Sequence, residues 1–169
     1  MTSTVHKYIS INNMQLEQKI ASLLKDRQET LCVAESCTGG YLTHRLTNIS
    51  GSSKFLIAAV ISYANIAKIQ LLHVHSASIR KDGAVSLSVV RQMAANAAKL
   101  FDTDYGLAIT GIAGPTGGSA KKPVGLVYIA VKNRKKLYSQ KRLFHGTRIA
   151  IKKQAAQKAL ELLLKAINS

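Results

Sequence analysis

The feature that most constrains the fold is the alternation of short apolar runs with segments of helical periodicity. Runs at 30–34, 54–63 and 105–110 are predicted strands, and helical patterns separate them. The run at 54–63 is almost continuously apolar, which is typical of a buried central strand in a parallel sheet. Strands that alternate with helices predict a layered α/β domain with a largely parallel sheet.

The later part of the chain adds a hairpin to this pattern. Apolar runs at 124–131 and 136–144 predict two strands, one of which is antiparallel to the rest of the sheet.

The segment 73–83 has no apolar period and is predicted to be a loop. The polar segment 1–13 is predicted to be an N-terminal arm, which leaves residues 14–169 as a single domain. Helices are predicted at 14–27, 41–46, 65–72, 86–101 (capped by Ser86) and 148–166.

Charge is the most unusual property of the composition. The 24 Lys and Arg residues against 8 Asp and Glu give a net charge of +16, and 13 of the basic residues lie within 121–169. Such a balance raises the possibility of a nucleic-acid-binding module. No reader motif accompanies the charge, and Lys152, Lys153, Lys158 and Lys165 are predicted on the solvent face of the last helix. We therefore expect non-specific nucleic-acid binding at most.

Other protein classes are disfavoured by what the sequence lacks. It has no apolar run of about 18 residues, so we expect no membrane span, and the N-terminus has no signal-peptide core. The two cysteines, Cys32 and Cys37, are spaced neither for a zinc site nor for a disulfide framework. We expect a cytoplasmic protein with reduced cysteines.

Three polar clusters follow predicted strands, at Ser36–Gly40, Tyr63–Lys68 and Thr110–Gly118. Ligands of open α/β sheets bind at the carboxyl ends of strands, so these clusters are the candidate site. Ser36 is placed either to cap a helix or to act as a nucleophile beside N–H groups that stabilise an oxyanion. Lys68 is either a solvated helix lysine or a general base, and the second role requires a lowered pKa.

The remaining polar residues near these clusters admit simple explanations. Glu35 precedes Ser36 and is expected to form a structural ion pair. Lys121 and Lys122 follow the glycine-rich stretch and are either ligands of an anion or solvated. His73 and His75 lack a third metal ligand, so we expect no metal site.

These segments together resemble the CinA C-terminal domain family, the PncC-type nicotinamide-nucleotide amidases. The resemblance covers about residues 14–167, and AESCTGG with TGIAGP is a specific combination. The matching runs are AESCTGG (34–40), GSS (51–53), SYANIAK (62–68), DGAVS (82–86), ITGIAGPTGG (109–118) and KPVGLVYIA (122–130). The resemblance implies a three-layer α/β/α sandwich with a mostly parallel mixed sheet.

The resemblance also implies an activity and a set of site residues. The expected reaction is hydrolysis of the amide of nicotinamide mononucleotide to nicotinate mononucleotide and ammonia, without a metal or organic cofactor. Ser36 matches the nucleophile and Lys68 the general base, while Tyr63 and Thr110 match polar residues of the same catalytic pocket. Residues expected to bind the nucleotide substrate are Thr38, Gly39, Gly40, Asn65, Gly111, Ile112, Ala113, Gly114 and Arg148.

Two departures from the family pattern bear on these expectations. Many members carry a preceding molybdopterin-binding-like domain. A sequence of 169 residues leaves no room for it, so we expect a stand-alone amidase. Members often have G-D-R or G-N-R before the last helix, where this chain has Gly146-Thr147-Arg148.

The resemblance implies a homodimer. The alternatives are a catalytically weak family member and a basic nucleic-acid-binding module.

Overall fold

The computed structural model describes residues 15–169, in which strands and helices alternate. The predicted arm at 1–13 lies outside the described residues. In chain order the elements are α1 (Leu16–Arg27), β1 (Leu31–Glu35), α2 (Tyr41–Thr47), a 3₁₀ turn (Ser52–Lys54), β2 (Leu56–Ile61), α3 (Asn65–Leu72), α4 (Ser76–Asp82), α5 (Leu87–Leu100), β3 (Tyr105–Gly111), β4 (Leu126–Lys132), β5 (Leu137–Leu143) and α6 (Arg148–Ile167).

The five strands form one mixed sheet in the order β2-β1-β3-β4-β5. β1 is parallel to both β2 and β3, whereas β4 is antiparallel to both β3 and β5. Four strands therefore point one way and β4 alone points the other way. The predicted hairpin and the single antiparallel strand are confirmed. The carboxyl ends of β1, β2 and β3 lie along one edge of the sheet.

Helices cover both faces of the sheet and complete the predicted three-layer α/β/α sandwich. On one face, α1, α2 and α6 bury an apolar cluster that includes Leu24 and Leu163. On the other face, α3 and α5 contribute to a second cluster that includes Met93. β1 is buried along its whole length because it lies between both layers and between two strands. No helix within residues 15–169 combines the length and apolarity that crossing a bilayer requires.

The packing of α5 against β3 depends on a glycine. A Cβ atom on Gly106 of β3 would lie 2.0 Å from the carbonyl oxygen of Ala94 in α5. Only glycine allows the two backbones to approach this closely. The helix begins at the predicted cap, where Ser86 Oγ accepts a hydrogen bond from the Val89 N–H at 3.3 Å.

Two local predictions are wrong. The run at 54–63 is not a central buried strand, because β2 lies at the edge of the sheet and leaves Ile57 and Ile61 about half exposed. Apolar content predicts a strand, but the order of strands depends on long-range pairing. The predicted loop at 73–83 contains α4, whose sequence SASIRKD offers only Ala77 and Ile79 to an apolar face.

Candidate active site

The ends of β1, β2 and β3 surround a cavity of about 260 Å³. Ser36 follows β1, Tyr63 follows β2, and Thr110 and Gly111 end β3. The three polar clusters of the sequence therefore meet because parallel neighbouring strands end at the same edge. The predicted site residues that line this cavity are Ser36, Tyr63, Asn65, Lys68, Thr110, Gly111, Ile112, Ala113, Gly114 and Arg148.

The central contact of the site joins Lys68 to Ser36. Lys68 Nζ lies 3.0 Å from Ser36 Oγ, although the two residues are 32 positions apart. The amine also donates to the carbonyl oxygen of Ser62 at 2.6 Å and to that of Tyr63 at 3.4 Å. The Lys68 side chain is 1% exposed, so α3 carries this lysine on its buried side rather than in solvent.

Burial changes the acid–base chemistry of Lys68. Loss of solvation lowers the pKa of Lys68 from 10.5 to about 8, and Cys37 opposes part of this shift. A neutral amine has two N–H donors and one lone pair. The two carbonyl oxygens can take the two N–H groups, which leaves the lone pair for the Ser36 hydroxyl. The arrangement thus suits a general base near neutral pH.

The prediction that Glu35 forms a structural ion pair is wrong. Its carboxylate is fully buried, and within residues 15–169 its partners are N–H and O–H groups rather than a cation. It accepts hydrogen bonds from the N–H groups of Gly40 and Leu42 at 3.0 and 3.2 Å, and from the N–H and Oγ1 of Thr43 at 2.8 and 2.6 Å. The N–H groups at the start of α2 are therefore occupied and are not the oxyanion donors that the sequence suggested.

The other residues of the first cluster lie outside the cavity. Thr38 is fully buried, and its hydroxyl makes no hydrogen bond within the described part of the chain. Gly39 is exposed, and a Cβ atom there would lie 3.5 Å from Lys152 Nζ; at Gly40 it would lie 3.2 Å from Ile61 Cδ1. A role for Thr38, Gly39 and Gly40 in substrate binding stays a prediction.

Part of the cavity wall comes from the segment 82–86, which matched the family as DGAVS but in which no site residue was predicted. Ala84 and Val85 line the cavity, and Thr110 Oγ1 donates to the Ala84 carbonyl at 3.0 Å. Lys122 Nζ donates to the carbonyl oxygens of Val85, at 2.8 Å, and of Asp82. Lys122 therefore ties the glycine-rich stretch to this wall, which differs from both roles that the sequence suggested for it.

The mouth of the cavity is bridged by Arg148, the first residue of α6. Its guanidinium donates to the Gly114 carbonyl at 2.6 Å and to the Tyr63 hydroxyl at 2.5 Å. The helix starts at this point because Thr147 Oγ1 accepts from the Ala150 N–H at 3.3 Å. The threonine of the G-T-R turn thus provides the cap and places Arg148 beside Tyr63.

Two further residues near the site were not predicted from the sequence. Cys37 lines the cavity, and burial raises the pKa of its thiol to about 12, so the thiol stays protonated at neutral pH. Lys152 was predicted on the solvent face of α6, but it is half-buried with its ammonium near Gly39. Its position one helical turn after Arg148 is the only sequence signal that would have indicated this.

Metal ligands are not clustered at the cavity. Among the described residues no histidine lines it, and residues 15–169 contain no group of three His, Cys, Asp or Glu side chains close enough to share an ion. The cavity offers hydroxyl, amine, thiol and guanidinium side chains together with main-chain groups.

Fold and site define an α/β domain with a buried serine–lysine pair at the carboxyl ends of its parallel strands. The chain belongs to the CinA C-terminal domain family, whose family model matches residues 13–167. This confirms the resemblance noted from the motifs.

Sequence matches to curated CinA-like proteins cover most of this chain. A CinA-like protein of Syntrophus aciditrophicus is 47% identical over 149 residues, which are 88% of this chain and 36% of that protein. A CinA-like protein of Pseudothermotoga lettingae is 39% identical over 166 residues, or 98% of this chain and 41% of that protein. The chain thus spans well under half the length of these curated relatives.

Solved structures of the family have the same fold. The competence/damage inducible protein CihA from Agrobacterium tumefaciens superimposes with a TM-score of 0.88 at 37% identity, over 91% of this chain and 94% of that chain. A CinA superfamily protein from Klebsiella pneumoniae gives a TM-score of 0.87 at 31% identity, over 90% of this chain and 96% of that chain.

Proposed function

We propose that this protein is a serine amidase that hydrolyses the carboxamide of nicotinamide mononucleotide to nicotinate mononucleotide and ammonia. The observation that carries the proposal is the 3.0 Å contact between Lys68 Nζ and Ser36 Oγ, with Lys68 buried. A nucleophilic serine needs a base within hydrogen-bond reach. The lowered pKa of Lys68, about 8, supplies such a base without a histidine.

The first half of the reaction forms an acyl-enzyme. Neutral Lys68 accepts the proton of Ser36, and the serine oxygen attacks the carboxamide carbon to give a tetrahedral oxyanion. The Lys68 ammonium then gives its proton to the amide nitrogen, and the C–N bond breaks to release ammonia. Cys37 lines the cavity, and its N–H group donates to no other residue within 15–169, so this N–H is available to the oxyanion.

The second half regenerates the serine. Lys68, neutral again, accepts a proton from a water molecule that attacks the acyl carbon. The ester bond breaks, Ser36 recovers its proton from Lys68, and the carboxylate of nicotinate mononucleotide leaves. Each proton taken by Lys68 is returned, so the residues account for the reaction without a metal or an organic cofactor.

Recognition of the substrate phosphate is assigned to the mouth of the cavity. Gly114, Thr116 and Gly117 line the cavity, and their N–H groups donate to no acceptor within the described residues. Free main-chain N–H groups gathered in one turn can bind an anion. Arg148 uses two of its five donors on Gly114 and Tyr63, and the others are available to a phosphate.

The decisive experiment measures ammonia release from nicotinamide mononucleotide by the purified chain, with chromatography of the acid product. We expect turnover without added metal, and its loss in Ser36→Ala and in Lys68→Ala. Lys165→Ala is the matched control, because Lys165 is exposed on α6 and does not line the cavity. A folded Ser36→Ala protein with normal turnover would disprove the mechanism.

A further inference from the structure

We propose that Glu35 is a positioning residue, whose buried carboxylate fixes the turn that carries Ser36 so that Lys68 can reach the serine hydroxyl. The inference rests on the proposed function only in taking Ser36 as the nucleophile. Glu35 touches no part of the cavity itself, and it acts through the main chain on both sides of Ser36.

The side chain of Glu35 fixes the far end of the turn at 36–40, which carries Ser36. Oε2 accepts from the N–H groups of Gly40 and Leu42, and Oε1 accepts from the N–H and the hydroxyl of Thr43. Residue 35 is the last residue of β1, so one residue ties together both ends of the turn at 36–40. The turn cannot move relative to β1 without breaking these bonds.

The main-chain carbonyl of Glu35 is linked to Lys68 through Ser62. Its carbonyl oxygen accepts from the Ser62 N–H at 2.8 Å and from Ser62 Oγ at 3.3 Å. The carbonyl oxygen of Ser62 in turn accepts from Lys68 Nζ at 2.6 Å. With the contact between Lys68 and Ser36, these bonds form a closed ring. Glu35 therefore sets the relative position of the two reacting side chains.

The chemistry of the site requires a carboxylate at this position. All four groups that face it are donors, and a carboxylate only accepts. A glutamine amide would direct its own N–H groups at some of these donors and lose their hydrogen bonds. The N-cap residue of α2 is Gly40, which has no side chain to cap the helix. Glu35 takes over that function from outside the helix.

A cap that only stabilised the fold would explain the same contacts, so the test must separate position from stability. The probe is a fluorophosphonate, which reacts with an activated serine whatever the natural substrate. Ser36 Oγ displaces fluoride from phosphorus, and the serine proton passes to Lys68. The second-order labelling rate of the folded chain then reports the geometry of the pair, and the urea midpoint of unfolding reports stability.

Asp104→Asn provides the matched control for Glu35→Gln. The Asp104 carboxylate accepts from the N–H and the hydroxyl of Thr30, at 2.8 and 3.0 Å, at the opposite end of β1. Both substitutions replace a carboxylate that accepts from main-chain N–H and threonine O–H donors, and Asp104 also pairs with Arg134 at 2.6 Å. We expect Glu35→Gln to lower the labelling rate by about tenfold or more, since a small misplacement of reacting groups is that costly. Asp104→Asn should label at the wild-type rate.

Each outcome decides the question. A folded Glu35→Gln protein that labels at the wild-type rate overturns the proposal. If that variant does not fold, Thr43→Val removes only one of the four bonds and should still slow labelling; a wild-type rate there also overturns the proposal. A labelled chain that does not hydrolyse nicotinamide mononucleotide rejects the proposed substrate and leaves the role of Glu35 intact. A wild-type chain that is not labelled refutes both.

Discussion

The pH dependence of turnover follows directly from the burial of Lys68. Only the neutral amine can accept the proton of Ser36. Because the pKa of Lys68 is about 8, the neutral fraction rises from about one tenth at pH 7 to about nine tenths at pH 9. We therefore expect kcat/KM to rise about tenfold across this interval and to level off at higher pH.

The assay for this prediction is ammonia release at low substrate concentration, in buffers of constant ionic strength from pH 7 to 9.5. The range starts at pH 7 because the second pKa of a phosphate monoester is about 6, so the charge of the substrate changes little above pH 7. An essential base that titrates near 10.5, the ordinary value for lysine, would instead give a rise of about a hundredfold from pH 7 to 9 that does not level off by pH 9.5. That result, or a flat profile between pH 7 and 9, would refute the assignment of Lys68 as base.

The same pKa predicts a change in stability that does not depend on catalysis. The folded-state pKa of about 8 lies below the ordinary value of 10.5, so between these values the unfolded chain binds more protons than the folded chain. Stability then rises with pH, because the cost of burying a charged amine is relieved. From pH 7 to 9, wild type should gain about 1 kcal/mol relative to Lys68→Met. Urea unfolding of both proteins at these pH values measures the difference, and parallel curves would contradict it.

Three further predictions concern the rest of the molecule. Arg148→Ala should raise KM for nicotinamide mononucleotide about tenfold with a smaller effect on kcat, since it contacts a non-reacting group; an equal loss with the phosphate-free riboside would contradict this. Burial raises the pKa of Cys32 and Cys37 to about 12, so iodoacetamide at pH 8 should modify both thiols only after unfolding, as mass spectrometry can show. Light scattering should give twice the 18.3 kDa chain mass, as a homodimer requires, and a monomer would refute this.

The helix that follows Ser86 and the hairpin after β3 show what local patterns reveal. Each has strong periodicity and clear turn or cap residues, and both were predicted from the sequence. α4 was missed because SASIRKD has little apolar periodicity, and its helix depends on packing against α5. The edge position of β2 was missed because an apolar run carries no information about which strands flank it.

Glu35 and Lys122 show the limit of sequence reasoning at the site. Both are charged, and an ion pair or a solvated position is the usual outcome for such residues. The structure instead gives Glu35 four donors and Lys122 two carbonyl acceptors. These partners come from segments whose positions relative to the charged residue only the assembled fold defines.

By itself the sequence determined the alternating α/β pattern, the three polar clusters at strand ends, and Ser36 and Lys68 as candidate nucleophile and base. Tertiary structure decided that these two residues meet, since their 3.0 Å contact depends on β1 and β2 being parallel neighbours. It also decided the chemistry of Lys68. A lysine in water stays charged near neutral pH, and only burial among main-chain carbonyls makes its neutral form accessible.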